Sequence, residues 1–372
     1  MRSTSLAIVT ALVLAGCGLS ATPRSSGSAN PPSPSPVASP LPASPVPASV
    51  VSSFGLLLDP ITGNVTLVST AGRVVASGVA TARPGGWKPC GGGGIDFPAV
   101  AVSTTRTRAY FLEGTTVRWL APDGATGLAY SVPAGAAMVA GFAVSPDDRQ
   151  VAYTLVDGSV EPLRVAVAVA SIPDGKPKLI YSAAAAATRD LVPWPVGWSG
   201  EHILLRAMPA CSLDGVPATE YRLVDSLTGT GLASIGAAPA CTLLEYQELP
   251  SAGGIPCNYG NPLIVFAYDG ITLHSIPNPD HLTGAAVGPT WARAFGWDGR
   301  QLQVIGPDGP RAFPAAGSNA GGWIDSDHVL VGGDRNAEPV VLTVSTGAVA
   351  PVPAIGRFAG SLPGGLDPVP GI

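Results

Sequence analysis

Few residues in this chain could do chemistry. Of 372 residues only four are histidines, at 202, 274, 281 and 328, a thin supply for general acid–base work near neutral pH. His328 closes the run Asp325-Ser-Asp-His. That run reads either as a solvated turn or as part of a ligand-facing surface. His274 alternates within Ile271–Ile276 as a strand-face residue would. Five cysteines stand at 17, 90, 211, 241 and 257. No Cys-x-x-Cys spacing occurs among them, and with so little histidine a zinc site is not expected. Cys90, Cys211, Cys241 and Cys257 form an even set that allows two disulfides in three pairings. At least one bridge is expected among Cys211, Cys241 and Cys257, which lie closest in sequence. Carboxylate pairs such as Asp147-Asp148 stand where Asp serves as a turn former. His-Glu-x-x-His, Walker, Gly-x-Ser-x-Gly and calcium-loop patterns do not occur. No catalytic set, cofactor or metal is therefore expected.

Aromatic faces are better supplied. Of seven tryptophans, Trp194, Trp198, Trp291 and Trp323 fall near the starts of short apolar runs. Two readings stand: an aromatic platform for sugars or peptides, or packing of large rings into the wedges between sheets. The glycine-rich stretch Gly85–Gly94 around Cys90 reads as a connector rather than a phosphate cradle, because no helical pattern follows to supply an N-terminus.

The elements that must position these residues begin with a leader. Arg2 precedes a hydrophobic run of ten residues, Leu6 to Ala15. That length is short of the roughly 20 residues a spanning helix needs but suits a signal-peptide core. The run ends in Leu14-Ala15-Gly16-Cys17, which resembles the lipobox of bacterial lipoproteins. The resemblance implies cleavage before Cys17, palmitate-type acylation of its thiol, and an extracytoplasmic protein anchored to the membrane through that lipid. Residues 18–50 hold nine Pro and nine Ser with Arg24 as their one charge, so they read as a semi-extended tether that could reach on the order of 100 Å. The expected organisation is a signal peptide over 1–16, a lipidated cysteine and disordered Pro/Ser tether over 17–50, and a folded domain over 51–372.

Composition bounds that domain. The chain has 47 Gly and 39 Pro, about 23% together, roughly twice the usual share. Charged residues are 12%, aromatics 6% and hydrophobic residues 46%, enough apolar material for a core and too many turn formers for long helices. The formal charge of −5 argues against nucleic acid as a partner, since a protein must bring positive charge to displace counterions.

Short apolar runs end in Asp-Gly or Thr-Gly, the dipeptides of tight hairpins. One unit recurs: a β-run, a glycine turn and a second β-run, with turns at Gly63, Gly124, Gly175, Gly229, Gly270, Gly309 and Gly347. The spacing of roughly 40 to 60 residues, with further strands between hairpins, is that of an all-β propeller. Seven hairpins predict seven blades, closed by the tail Phe358–Ile372. Six blades is the alternative, because two strands are missing before the first hairpin. Phe142-Ala-Val-Ser-Pro-Asp-Asp-Arg-Gln-Val-Ala-Tyr resembles the repeat of TolB-type and related WD-repeat-like bacterial propellers. Asp59-Pro-Ile-Thr-Gly-Asn-Val is similar to the outer hairpin of quinoprotein-like propellers. The Ser-x-Asp-x-Gly-x-Thr-Trp boxes of sialidase-type propellers are absent. The expected function is a non-catalytic binding or scaffold module for an envelope protein, peptide or glycan. The alternative is a propeller-type envelope lyase or glycosidase.

Overall fold

The computed structural model describes residues 52–59, 61–81, 102–135, 137–160, 162–186, 190–209, 220–235, 253–257, 261–268, 273–313, 321–333 and 338–362. Strands are the only regular elements among them, and they form seven antiparallel sheets. Blade 2 is Val102–Thr104, Ala109–Glu113, Thr116–Leu120 and Thr126–Ser131. Blade 3 is Met138–Val144, Gln150–Asp157, Leu163–Ser171 and Lys178–Ala185. Blade 4 is Leu191–Ser199, His202–Pro209, Glu220–Asp225 and Gly231–Ile235. Blade 5 shows Ile255–Cys257, Leu263–Phe266 and Leu273–Ile276. Blade 6 is Thr283–Val287, Ala294–Trp297, Leu302–Ile305 and Arg311–Phe313. Blade 7 is Gly321–Trp323, His328–Val331, Val340–Thr343 and Val349–Pro351.

Blade 1 joins the two ends of the domain. Phe54–Leu58, Asn64–Ser69 and Val74–Val79 pair in order, and Arg357–Leu362 adds beside Phe54–Leu58 as the fourth strand. First strands of neighbouring blades adjoin around the axis. Val102–Thr104 lies beside Met138–Val144, and that strand beside Leu191–Ser199. Thr283–Val287 lies beside Gly321–Trp323, which lies beside Arg357–Leu362, and that strand returns to Val102–Thr104. The protein is a seven-bladed β-propeller closed by its C-terminal strand.

The closing strand corrects one sequence expectation. The hairpin at Gly63 reads in sequence like the outer hairpins of the other units. In the structure it joins the second and third strands, and Val74–Val79 lies outside it. The six-bladed alternative is excluded by the seventh sheet.

The core follows the ring. Each boundary between neighbouring blades has its own apolar cluster. The seam of blades 2 and 3 holds Tyr110, Tyr130, Phe142 and Tyr153, and that of blades 6 and 7 holds Phe295 and Trp323. A sheet covered on both faces loses its alternation, which is why Leu302–Ile305 is buried at all four positions. At several turns the glycine takes the left-handed conformation that tight hairpins favour: φ is 85° at Gly124, 85° at Gly309 and 78° at Gly347.

Candidate functional site

First strands share one direction around the axis, so the turns into the second strands gather at one end of the ring. Thr105–Arg108, Ser145–Arg149, Gly288–Arg293 and Ile324–Asp327 are such turns. Among their side chains are Asp147, Asp148, Asp325 and Asp327, and hydrogen bonds engage all four.

In blade 3 the Ser145 hydroxyl accepts from the Gln150 amide at 2.8 Å and donates to Asp147 at 2.6 Å. Asp148, at φ 61°, reaches blade 2 instead. It accepts from the Tyr110 hydroxyl and from the Thr107 hydroxyl, both at 2.9 Å. In blade 7 the Asp325 carboxylate accepts the amides of Asp327 and His328 at 2.8 Å, and His328 Nδ1 lies 2.9 Å from it. Asp327 accepts the Ser345 amide at 2.8 Å and the Ser345 hydroxyl at 2.6 Å from the outer hairpin. His328 thus sits in a hydrogen-bonded turn, half-buried, with Asp325 on its Nδ1.

Carboxylates in other turns behave alike. Asp225 accepts the Thr228 hydroxyl at 2.8 Å and the amides of Thr228 and Leu227 at 2.7 and 3.0 Å. These bonds, the hydroxyl first, hold its acid below the usual carboxylate range. Asp59 is lowered for the same reason by Thr62 and Ile61, and Asp298 by the Gln301 and Arg300 amides. Their chemistry is that of Asx turns.

Tyr110 and Tyr153 share the seam of blades 2 and 3, and burial first of all pushes both phenols above their ordinary value; the Asp148 charge adds to it for Tyr110. A group with a raised folded-state pKa contributes stability that is complete below its unfolded value, here near 10, and is lost as pH rises beyond it. The thermal midpoint followed by circular dichroism is expected to fall steeply above pH 10, and Tyr110→Phe to make that fall shallower. A midpoint unchanged up to pH 11 in the wild-type chain would contradict this.

The four sequence-predicted tryptophans do not come together as a platform. Trp194 and Trp198 lie in the first strand of blade 4 and Trp323 in that of blade 7, all buried. Trp198 Nε1 donates to the Ala143 carbonyl of blade 3 at 3.1 Å, and Trp323 Nε1 to the Ala286 carbonyl of blade 6 at 2.9 Å. Both pin a blade to the one before it, the packing alternative weighed above. Trp323→Phe leaves that buried carbonyl without its donor and a gap beside it, so it is expected to cost about 2–3 kcal/mol. Urea denaturation measures this, and a loss under about 0.5 kcal/mol would rule out the pin.

Trp291 differs. It is 41% exposed, in the turn from Thr283–Val287 to Ala294–Trp297. Its ring stacks on His274 of blade 5, with centroids 4.0 Å apart and planes 21° from parallel. Nothing in the sequence pairs these two residues, which meet only because blades 5 and 6 adjoin.

Cys17, Cys90, Cys211 and Cys241 lie outside the described residues. Cys257 ends a described strand, but its side chain is likewise outside them. Among the described residues no group of three His, Cys, Asp or Glu could hold a metal.

Fold and turns together define a propeller whose axial face is built from hydrogen-bonded turns. No protein-family profile matches the chain, and no curated protein sequence does. Solved structures do resemble it. A periplasmic gluconolactonase of Pseudomonas aeruginosa has a TM-score of 0.45 at 11% identity, over 83% of this chain and 98% of that one. The β-propeller domain of the Trilobed protease from Pyrococcus furiosus has 0.40 at 12% identity, over 67% and 81%. A putative TolB from Agrobacterium tumefaciens has 0.32 at 11%, over 69% and 81%.

Proposed function

We propose that this chain is an extracytoplasmic lipoprotein whose seven-bladed ring is a non-catalytic binding and scaffold module for a protein, peptide or glycan of the cell envelope. Cys17, acylated, anchors it to the membrane, and residues 18–50 hold the ring away from the surface. Any disulfide among Cys90, Cys211, Cys241 and Cys257 would form in that oxidising compartment.

One observation carries the binding reading: on the axial turns, Asp147, Asp148, Asp325 and Asp327 are engaged as structure. Asp148 ties blade 3 to blade 2, Asp325 holds its own turn and His328, and Asp327 holds Ser345. A general acid or base must exchange protons with a ligand. Groups that stabilise turns through several hydrogen bonds suit a rigid surface better. Rigid turns on a closed ring are what a binding face requires.

The test is a pulldown from isolated cell envelopes with the full-length chain, with a glycan array beside it. Saturable capture of an envelope component supports a binding module. Capture that does not saturate in either experiment overturns it.

A further inference from the structure

We propose that Trp291, backed by His274, is a glycan-binding platform for the C–H face of an all-equatorial hexopyranose, such as a β-linked glucose or N-acetylglucosamine unit. This rests on the reading of the ring as a binding module and names a site and ligand class for it.

Three observations converge on this residue. The first is exposure: Trp291 is 41% exposed while Trp194, Trp198 and Trp323 are buried. The second is conformation. Trp291 has φ 47°, a left-handed geometry where a bulky side chain is an outlier and costs about 1 kcal/mol or more. Asn or Gly would hold the same turn without that cost. The third is support from the neighbouring blade. The His274 ring at 4.0 Å covers one face of the indole, which leaves the opposite face as the one a ligand would take.

A flat, immobilised indole with one open face matches a sugar ring that presents only axial C–H bonds, because the electron-rich face attracts their positive edge. Its rotamer is already set, so binding costs little ordering entropy. The turn itself argues against an added peptide strand. Gly288 donates to the Arg293 carbonyl and Trp291 to the Gly288 carbonyl, each at 2.8 Å, so these backbone groups are already paired, whereas β-augmentation needs an open edge. Arg293 and Asp308 of the same blade form an exposed pair at 3.4 Å. Their charges offset each other, and their donors and acceptor suit equatorial hydroxyls rather than a charged ligand.

The test is isothermal titration of the full-length chain in detergent with cellohexaose, chitohexaose, β-mannohexaose and a polyproline peptide, with unfolding midpoints recorded alongside. Cellohexaose or chitohexaose is expected to bind saturably, and β-mannohexaose, with its axial hydroxyl, about 10-fold more weakly. Trp291→Ala should weaken binding at least about 10-fold. Trp291→Asn, which suits the left-handed turn, should do the same with its unfolding midpoint within about 2 °C of the wild type. The proposal is overturned if both variants bind as tightly as the wild type, or if polyproline rather than a sugar binds in a Trp291-dependent way. It is also overturned if the substitutions lower the midpoint with no sugar bound by the wild type, which would make the stack a blade staple. If no hexaose binds while envelope capture still saturates, this site is wrong and the binding module stands; if neither occurs, both fall.

Discussion

Cys17→Ala is expected to move nearly all of the protein from the membrane pellet to the wash when membranes are extracted with carbonate. The reason lies in the length of the proposed leader. The hydrophobic run Leu6 to Ala15 has ten residues, about 15 Å as a helix against a hydrocarbon core of about 30 Å. A segment of that length is too short to anchor the chain by itself. Acyl chains do, at about 0.8 kcal/mol for each buried methylene. The Cys17 thiol at the end of Leu14-Ala15-Gly16-Cys17 is their attachment point in the proposed lipoprotein. Metabolic labelling with an alkyne fatty acid should mark the wild type and leave Cys17→Ala unlabelled. A variant that stays in the carbonate pellet would remove the anchor from the proposal.

Deleting residues from Arg357 onward is expected to abolish the cooperative unfolding transition. Arg357–Leu362 pairs with Phe54–Leu58 at five positions. Phe358 packs against the cluster of Leu57, Val68, Ile324 and Leu330, while Ala359 and Leu362 belong to the seam of blades 1 and 2. One strand therefore seals two of the seven seams, and its loss leaves an inner edge open. Five ladder positions, two buried apolar side chains and the half-buried Phe358 are on the order of the 5–15 kcal/mol that stabilises a whole domain. A point substitution tests the same closure. Gly322 of blade 7 lies directly under the Phe358 ring, with no room for a β-carbon. Gly322→Val should lower stability by about 3 kcal/mol through overpacking. Calorimetry showing one full-sized transition in the truncated chain would mean that the ring closes elsewhere.

Much of this architecture is legible in the sequence because hairpin turns leave local chemical marks. The turn glycines at 63, 124, 229, 309 and 347 all have positive φ, and Asp-Gly or Thr-Gly marks them in the residue string. The inner hairpin of Phe142–Tyr153 pairs as its Ser-Pro-Asp-Asp turn implies. Closure of blade 1 is harder to read, since its fourth strand comes from the other end of the chain and no local pattern signals which strand will be inner.

The site is less legible than the fold. Trp198 and Trp323 stand in inner strands, at their ends rather than near their starts, and in strands covered on both faces no period-two alternation tells a ring that faces the channel from one that pins a seam. Only coordinates reveal the Nε1 bonds to Ala143 and Ala286. His274 reads as a strand-face residue and is one. Its stacking on Trp291 depends on how two blades adjoin, which single-sequence patterns do not encode.

The measurement that bears most directly on a binding module is equilibrium capture of isolated envelope material by the full-length chain, with mass spectrometry of the solution over the same hours. The expected result is a saturable isotherm with the captured component recovered chemically unchanged. Products that accumulate with time, and in proportion to added protein, would show turnover and contradict the non-catalytic reading.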